Sequence, residues 1–447
     1  MAMQKINRRK FVRNSMIASA GAVIAPYILP SGRLFAATGS RLANHVVFVL
    51  FGGGIRNQES VKKLYLSTQP NSSATGNLMV NMLSGAPPID PGYTYFDPIL
   101  SNPLSSRGTL FPEMRYASGP TGHYNGHTVA MTGVYTDTGL NLNINPKSPT
   151  VFEYYRKHSN PSKSALNAWW ISEGLGPYPS LNYSQDPDYG PLYGANYIRP
   201  ATLFGDLGQK LYADASYFQT DELTRIEKIA SFLNASFEKD VQDLPGIINT
   251  REDKEKIKKF FIDILNGTSQ MEYALPPGKP LSELTGDLIN ISAAGKVLDE
   301  FAPELTVINT FNLDICHSDF SGYTQFLHKA DYGVGWLWNK IQNHPVMANN
   351  TVMICMPEHG RNLEPNNLVD AHGYFAFDHT NDQNSREIFS LIVGPPSVIN
   401  QNSSFGTASE PKGESIDVLP TIAHILGFYN DIPSGRLSGR VLNEAFV

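Results

Sequence analysis

Carboxylate and imidazole side chains occur together at three places in this sequence. Asp314 and His317 follow an apolar run in "NLDICHSD", Glu358 and His359 follow another in "PEHGRN", and His379 lies in "FDHTNDQNSREIF". Carboxylate oxygens and neutral imidazole nitrogens bind Zn²⁺ and related divalent ions. Two such clusters could hold two ions about 4 Å apart and so stabilise the attacking and leaving oxygens of phosphoryl or sulfuryl transfer. The three motifs together predict a metal site, although each pair alone also fits a loop turn or a helix cap.

A further candidate is "TGHYNGHTVAMTGVYTDTG", which covers residues 121–139. His123, Asn125 and His127 precede a short apolar stretch that ends at Thr-Gly. This pattern is typical of a loop entering a helix whose N-terminal amides face an anion. The alternative is an ordinary helix start with Asn125 or Thr128 as its cap.

The apolar runs before these motifs predict the elements that position them. They are short and nearly continuous, as expected for strands buried on both faces, and helical patterns lie between them. This alternation indicates an α/β sheet covered on both faces, in which ligands bind beyond the carboxyl ends of the strands. Strands are predicted at 46–51, 305–311, 351–356 and 388–393, and helices at about 220–241, 250–266, 284–301, 324–342 and 416–426.

The domain organisation follows from the length and from shifts in composition. The 447 residues suit one large α/β domain with insertions, and the predicted strands come from both ends of the chain, which favours one discontinuous core. Residues 70–120 are rich in Pro, Gly, Ser and Asn and predict a long surface excursion. Residues 140–275 predict a second insertion, helical from about 205. The domain is therefore expected to span 38–447.

Residues 1–37 are typical of an export signal. Arg8 and Arg9 precede an apolar run at about 16–29, and small residues follow at Ala36 and Ala37. The arginine pair resembles a twin-arginine signal, a receptor-read address that leaves no membrane anchor after cleavage. We therefore expect the twin-arginine export machinery as a partner and a periplasmic or secreted protein. The alternative is an amphipathic or anchoring N-terminal helix.

The charge of the remaining chain excludes some partners. The formal net charge is −6, and residues 1–37 contain six basic and no acidic residues, so residues 38–447 carry −6 − 6 = −12. This acidity argues against nucleic acid and anionic membrane surfaces as partners. A small anionic substrate stays compatible, because a metal ion reverses the field locally. Cys316 and Cys355 are either a disulfide or two inert buried thiols.

The order of these motifs resembles the alkaline phosphatase superfamily, which includes sulfatases, nucleotide pyrophosphatases and phosphoglycerate mutases. The shared order is a first strand, a helix ending in Thr-Gly, Asp and His after one strand, carboxylate-His-Gly after the next, and a last His before a strand ending in Gly-Pro-Pro. The stretch "SIDVLPTIAHILGF" at 415–428 resembles the closing helix of the superfamily. The resemblance covers about 45–428 and implies a mostly parallel central sheet flanked by helices on both faces, with a helical insertion.

The resemblance also implies a ligand set. Asp314 and His317, completed by His379, resemble the ligands of one metal ion. Glu358 and His359 resemble the ligands of a second, and His372 is a competitor for the place of His379. Zinc is the first expectation, with one or two ions.

Two central positions depart from the superfamily pattern. An Asp normally follows the first strand, where this chain has Gly52–Gly54, and a Thr, Ser or Cys nucleophile normally lies nine residues before Thr132, where it has His123. Three alternatives stay open. Thr121 or Thr128 is the nucleophile in a shifted register, His123 itself attacks phosphorus, or a single metal activates water.

These features predict an exported, metal-dependent hydrolase of phosphate or sulfate esters that acts on a small anionic ester. Arg361 and Arg56 are candidates for holding substrate oxygens through bidentate hydrogen bonds. A group transfer in place of hydrolysis fits the sequence equally well. The alternative from another class is a non-catalytic scaffold whose degenerate site binds a ligand or a protein partner.

Overall fold

The computed structural model describes residues 39–136, 144–159, 165–173, 180–204, 250–265, 267–380 and 382–447. The expected signal at 1–37 and the helix expected at about 220–241 lie outside these residues.

Eight strands form one sheet around which the described residues are built. Its order is β4-β3-β5-β1-β6-β7-β2-β8. The strands are β1 His45–Phe51, β2 Gly108–Arg115, β3 Ala168–Ser172, β4 Asn196–Ile198, β5 Leu305–Asn309, β6 Thr351–Pro357, β7 Glu387–Val393 and β8 Ser403–Ser404.

One strand of the sheet, β7, runs opposite to the other seven. The five strands from β4 to β6 are all parallel to their neighbours, whereas β7 is antiparallel to both β6 and β2. The final strand β8 is parallel to β2. The predicted mostly parallel sheet is therefore confirmed, and all four strands expected from the apolar runs belong to it.

Helices cover both faces of the sheet, as predicted. Alternate residues of β1 enter different cores, with Val47 and Val49 on one face and Val46 and Phe48 on the other. In the described residues the helices are α1 His123–Thr132, α2 Val151–Tyr154, α3 Pro200–Phe204, α4 Arg251–Leu265, α5 Gly286–Phe301, α6 Phe320–Asn343 and α7 Val418–Ile425. The first core includes residues of α4, α5 and α6, and the second includes residues of α1, α2 and α7.

Helix caps fix where the two long helices begin. The Thr285 hydroxyl accepts a hydrogen bond from Leu288 N at the start of α5, and the Asp319 carboxylate accepts one from Gly322 N at the start of α6. Both satisfy amides that have no partner inside the helix. Asp319, which follows His317 in the sequence motif, therefore serves as a cap.

The segment at 70–120 differs from the surface excursion that its composition predicted. Its last part is β2, a central member of the antiparallel portion of the sheet. Its earlier part is anchored by Asn81, whose backbone N–H and side-chain amide both donate to the buried Asp331 carboxylate on α6. A proline within β2, at Pro112, and a register shift between Phe111 and Met114 interrupt the strand pattern.

The segment at 140–275 extends the sheet where the structure describes it. The short strands β3 and β4 continue the parallel part beyond β5, and α4 at Arg251–Leu265 confirms the helix expected at 250–266. Strands of five and three residues are too short to give a clear sequence period.

Cys316 and Cys355 are both free and buried. Burial raises the pKa of the Cys316 thiol to about 11 and also raises that of Cys355. The interpretation as two inert thiols is therefore the one that the structure supports. Within the described part of the chain, no helix combines the length and the apolarity that crossing a membrane requires.

Candidate metal centre

The strand directions bring distant parts of the sequence to one edge of the sheet. Strands β1, β5 and β6 are parallel, so the residues after each of them emerge at the same edge. Because β7 is antiparallel to β6, its beginning lies at that edge, and His379 arrives just before it. Because β2 is antiparallel to β7, its end also lies there and leads into α1 and His123. Every predicted site residue is delivered by one of these connections.

One group of potential ligands, called here the outer cluster, consists of His123, Asp314, His317 and His379. One ligand atom of each lies within 4.8 Å of all the others. From Asp314 Oδ1, the distances to Nε2 of His317, His123 and His379 are 3.1, 3.3 and 3.8 Å. The side chains of Asp314 and His317 are 28% and 36% exposed, so this cluster is open to solvent.

A second group, called here the inner cluster, consists of His123, Glu358 and His359, again within 4.8 Å of one another. The Glu358 Oε1 atom lies 2.8 Å from His123 Nδ1 and 3.4 Å from His359 Nε2. Glu358 and His359 are fully buried. The structure thus brings together all five predicted metal ligands, in two clusters that share His123.

Backbone carbonyls fix the protonation of two of these imidazoles. His379 Nδ1 donates to Thr121 O at 2.6 Å, and His359 Nδ1 donates to Gly360 O at 2.8 Å. A carbonyl can only accept, so the proton is on Nδ1 and the lone pair is on Nε2. Neither Nε2 atom has a hydrogen-bond partner within the described residues, although both are buried. Two buried lone pairs aimed into a carboxylate-imidazole cluster fit a divalent cation.

A carboxylate outside the predicted set orients His317. Asp378 Oδ1 lies 2.6 Å from His317 Nδ1 and accepts from Asn366 Nδ2 at 3.0 Å. This contact turns His317 Nε2 towards Asp314. Carboxylates that hold the far nitrogen of a ligating histidine in this way increase its basicity and fix its tautomer.

The carboxylate of Glu358, in the inner cluster, is held in place by Gly53 and His127. Glu358 Oε1 accepts from Gly53 N at 2.6 Å, and His127 Nδ1 lies 2.5 Å from Oε2. His127 Nε2 in turn lies 2.7 Å from Asn309 Oδ1 at the end of β5. The buried imidazole of His127 therefore locks the glutamate in place between β5 and α1.

These contacts set the charges of the site. Burial raises the pKa of Glu358, but the neighbouring His127, His359 and His123 outweigh burial and hold that pKa well below its usual range. Burial lowers the pKa of His123, but Glu358 and Asp314 outweigh it and raise the pKa to about 10. Burial lowers the pKa of His359 to about 4 and also lowers that of His379. The carboxylate of Glu358 is thus ionised and the imidazoles of His359 and His379 are neutral, which are the forms that bind metal ions, whereas His123 is protonated and would release protons on binding one.

The guanidinium of Arg361 supports the backbone of the site. It is fully buried and donates to Phe377 O at 2.8 Å, to Leu313 O at 3.2 Å and to Gly53 O. It also donates to Asp314 Oδ1 at 2.9 Å. This placement does not fit the predicted role of holding substrate oxygens. Arg361 is a positioning residue that ties the loop after β1 to Asp314.

Arg56 is also unsuited to hold a substrate. It is buried, and its Nε and Nη2 atoms donate to the two carboxylate oxygens of Glu59 at 2.8 and 2.5 Å. The pair stabilises the turn after β1.

Thr121 lies beside the outer cluster but is engaged with its backbone. Its hydroxyl donates to His379 O at 2.7 Å, while its carbonyl accepts from His379 Nδ1. The two residues position each other, so the predicted role of Thr121 as nucleophile does not fit this arrangement. Thr128 is buried within α1. His372 is exposed and belongs to neither cluster, whereas His379 lies beside Asp314 and His317.

The glycine triplet after β1 sits where neighbouring atoms leave no room for side chains. A Cβ on Gly53 would lie 2.3 Å from Asp314 N, and a Cβ on Gly54 would lie 2.5 Å from His359 Nδ1. Both glycines have positive φ, +94° and +74°. The backbone of Gly53 instead contributes its N–H to Glu358 and its carbonyl to Arg361.

Substituting Gly53 by Ala is expected to destabilise the fold by about 3 kcal/mol or more, because positive φ and a backbone clash act together. Gly278→Ala is the matched control, since Gly278 has φ of +81° but nothing within 4 Å of the added Cβ. It should cost only about 1 kcal/mol, the effect of the left-handed conformation alone. Urea unfolding of both variants measures the difference. Equal losses would show that the packing around Gly53 is not tight.

The loop that carries Asp314 depends on Asp287 at the start of α5. Asp287 Oδ1 accepts from Phe311 N at 2.7 Å and from Asn312 N at 3.1 Å. The Asp287 N–H in turn donates to the Asn312 side-chain oxygen at 2.9 Å. Burial raises the pKa of Asp287 to about 7.

This raised pKa predicts a pH dependence of stability. Between pH 3.8, the ordinary value, and about 7, the folded chain binds a proton at Asp287 that the unfolded chain has lost. The contribution of Asp287 to the free energy of unfolding therefore falls as pH rises, by up to about 1.4 kcal/mol per pH unit. Asp287→Asn keeps an acceptor oxygen but cannot titrate. The wild-type chain should lose stability relative to this variant between pH 5 and pH 8 in urea unfolding, whereas a constant difference would contradict the raised pKa.

Three contributors to the site were missing from the predicted ligand set: His127, Asp378 and Asn309. His127 and Asp378 lie close in sequence to His123 and His379, so their motifs contained the signal without separating ligands from supports. Asn309 had no signal, because an Asn at the end of a strand is common.

Comparisons with known proteins concern the fold. No protein family model matches this chain, and neither does any curated protein. A protein in the alkaline phosphatase superfamily from Vibrio parahaemolyticus is 13% identical, with 99% of this chain and 80% of that chain covered and a TM-score of 0.40. An alkaline phosphatase variant is 11% identical, with 92% and 100% covered and a TM-score of 0.47.

A third solved structure is the phosphonate monoester hydrolase from Silicibacter pomeroyi, which is 12% identical, with 90% of this chain and 76% of that chain covered and a TM-score of 0.37. The Vibrio parahaemolyticus protein and the alkaline phosphatase variant carry the name of the superfamily that the sequence motifs resemble.

Proposed function

We propose that this chain is a metal-dependent hydrolase of phosphate or sulfate esters of the alkaline phosphatase superfamily type. The observation that carries the proposal is the pair of ligand clusters at one edge of the sheet, in which the buried Nε2 atoms of His359 and His379 have no hydrogen-bond partner within the described residues. Their lone pairs are directed by backbone carbonyls, so the site is built to hold cations.

The donor set favours zinc. His123, Asp314, His317 and His379 would hold one ion, and His123, Glu358 and His359 a second. Mixed imidazole and carboxylate ligands suit zinc, and a bound divalent ion polarises a phosphoryl or sulfuryl oxygen and lowers the pKa of a bound water.

The two clusters differ in their exposure to solvent, and this difference suits them to different roles. Asp314 and His317 are partly exposed, whereas Glu358 and His359 are buried. A small anionic ester would therefore approach from the outer cluster, where His317 is held by Asp378 and His379 by Thr121. The buried inner cluster would support the outer cluster.

Water is the nucleophile that this arrangement favours. The Thr121 hydroxyl is bonded to His379 O, and a glycine triplet stands where an Asp is expected. The proposed reaction thus proceeds without a covalent ester on the chain.

The same departures favour the second candidate function, a non-catalytic scaffold that binds a ligand or a protein partner. Compared with the superfamily pattern, Gly52–Gly54 stand where a carboxylate is expected, and His123 stands where the nucleophile is expected. Under this alternative, the bound cations have only a structural role.

Metal analysis of the purified chain, followed by a hydrolysis screen, decides between the two. We expect one to two zinc ions per chain and turnover of an aryl phosphate, a phosphodiester or an aryl sulfate. Bound zinc without turnover of any of them would favour the scaffold, and a metal-free chain after zinc loading would exclude both the hydrolase and its metal site.

Export through the twin-arginine machinery forms part of the proposal and is tested separately. Replacing both Arg8 and Arg9 by Lys should leave the chain in the cytoplasm of a host with this machinery. Fractionation followed by immunodetection measures the location, and unchanged export of the variant would contradict a twin-arginine signal.

A further inference from the structure

His123 stands between the two clusters with one ring nitrogen towards each. Its Nδ1 lies 2.8 Å from Glu358 Oε1, and its Nε2 lies 3.3 Å from Asp314 Oδ1. Within the described residues, His123 is the one side chain common to both ligand groups. Both of its nitrogens therefore face a carboxylate that could share a cation with it.

Ligand counts show why both clusters need this ring. Without His123, the inner cluster has only Glu358 and His359, and the outer cluster has Asp314, His317 and His379. Zinc sites in proteins use at least three side-chain ligands as a rule. The inner cluster reaches three ligands only with His123 Nδ1, and the outer cluster becomes four-coordinate with His123 Nε2.

The separations between ligand atoms suit metal coordination. Two ligands about 2.1 Å from a tetrahedral ion lie about 3.4 Å apart. Nε2 of His123 and of His317 lie 3.3 and 3.1 Å from Asp314 Oδ1, and His359 Nε2 lies 3.4 Å from Glu358 Oε1. The outer side chains therefore need little movement to coordinate an ion. On the inner side, His123 Nδ1 and Glu358 Oε1 lie 2.8 Å apart, a hydrogen-bond separation that would have to open by about 0.6 Å.

The position of the ring is fixed by close packing of its helix. His123 is the first residue of α1, and Gly126 lies one turn further along. A Cβ on Gly126 would meet Glu358 O at 2.8 Å and Glu358 Cβ at 3.0 Å. The absence of a side chain at Gly126 therefore lets the start of α1 approach Glu358 closely enough for His123 to contact it.

We propose that His123 bridges two divalent cations, through Nδ1 to the inner cluster and through Nε2 to the outer cluster, as an imidazolate. The proposal rests on the proposed function only in assuming that both clusters take cations. Both ring protons pass to solvent when both nitrogens bind, and no bond to substrate is formed. His123 is then a shared ligand with no lone pair left to attack phosphorus.

Copper provides a probe that does not depend on catalysis. Cu²⁺ binds strongly to imidazole sites, and two Cu²⁺ ions joined by one imidazolate couple their unpaired electrons. The chain is stripped with a chelator, loaded with one and then two equivalents of Cu²⁺, and measured by low-temperature electron paramagnetic resonance. We expect a full signal after one ion and a loss of most of the integrated spin intensity after two.

Variants show whether His123 carries the coupling. In His123→Ala and His123→Gln, bound copper should give one spin per ion, and added imidazole should restore the coupling in His123→Ala. His372→Ala removes an exposed histidine outside both clusters and should leave the coupling intact. If both His123 variants fail to fold, the wild-type measurement decides alone.

Two copper ions with full spin intensity in the wild-type chain would overturn the bridge, as would binding of only one ion. Coupling that persists in folded His123→Ala would overturn it too. The proposed function fails separately, because a coupled pair without ester hydrolysis leaves the bridge standing, and hydrolysis by an uncoupled pair leaves the hydrolase standing.

Discussion

Substituting Asp314 by Ala is expected to remove one divalent ion per chain and to lower kcat/KM for ester hydrolysis at least about a thousandfold, or ~4 kcal/mol of transition-state stabilisation. The reason is the central place of Asp314 Oδ1 in the outer cluster. His123, His317 and Arg361 all contact this one oxygen, at 3.3, 3.1 and 2.9 Å. Without it the cluster loses its only carboxylate, and three positively polarised groups face one another.

Metal analysis and initial rates measure this effect side by side. Asp314→Asn keeps an acceptor for Arg361 and should fold better than Asp314→Ala while still losing the ion. Asp90→Ala is the control, since Asp90 is an exposed carboxylate far from the motifs in sequence. Unchanged hydrolysis in a folded Asp314→Ala chain would place the active site elsewhere.

Substituting Glu358 by Ala is expected to have the largest effect on stability in the site. Glu358 is fully buried, accepts from Gly53 N, and contacts His123 and His127. Removing one partner of a buried ion pair costs about 3–5 kcal/mol. The free energy of unfolding of the metal-free chain should fall by about this amount, measured with urea in the presence of a chelator.

The variant Glu358→Gln removes the charge of the side chain while keeping nearly the same shape, so it separates the two contributions to stability. The amide oxygen can still accept from Gly53 N, so the loss of stability should be smaller than with Ala. The inner ion should be lost in both variants, because a neutral amide binds zinc poorly. Glu255→Gln, on the exposed surface of α4, is the control for a glutamate change without a buried partner. Retention of two ions by Glu358→Gln would show that Glu358 is not a ligand.

The sequence was sufficient to predict the central part of the fold. The runs at β1, β5, β6 and β7 are nearly continuously apolar because both faces of these strands are buried, and this pattern predicted strands. The strands β3, β4 and β8 are short, and β2 contains a proline and a register shift, so none of them has a regular period. Their place in the sheet depends on pairing with neighbours that are distant in sequence.

The convergence of the five candidate ligands was predictable from the sequence, whereas the residues that support them were not. Asp314, His317, Glu358, His359 and His379 follow or precede recognisable strands, and this order indicated their convergence. The parts played by other residues depend on tertiary contacts that have no local pattern.

Arg361 and Thr121 illustrate this limit. An arginine beside a metal motif suggests a substrate contact, but burial and four acceptors make Arg361 a support of the loops. A threonine near the expected nucleophile position suggests a hydroxyl that reacts, but the hydroxyl of Thr121 donates a hydrogen bond to the His379 carbonyl. Both outcomes were decided by which backbone carbonyls the fold places nearby.

The crowded glycine triplet also restricts how this chain could change by mutation. A carboxylate at Gly53 or Gly54 would need a Cβ within 2.3 or 2.5 Å of existing atoms, at positive φ. A single codon change there is therefore expected to unfold the turn before it supplies a ligand. An acidic ligand after β1 becomes possible only if the Asp314 loop and the His359 ring move first. Converting this site, in which both clusters share His123, into one with an aspartate after β1 would therefore need several coordinated substitutions.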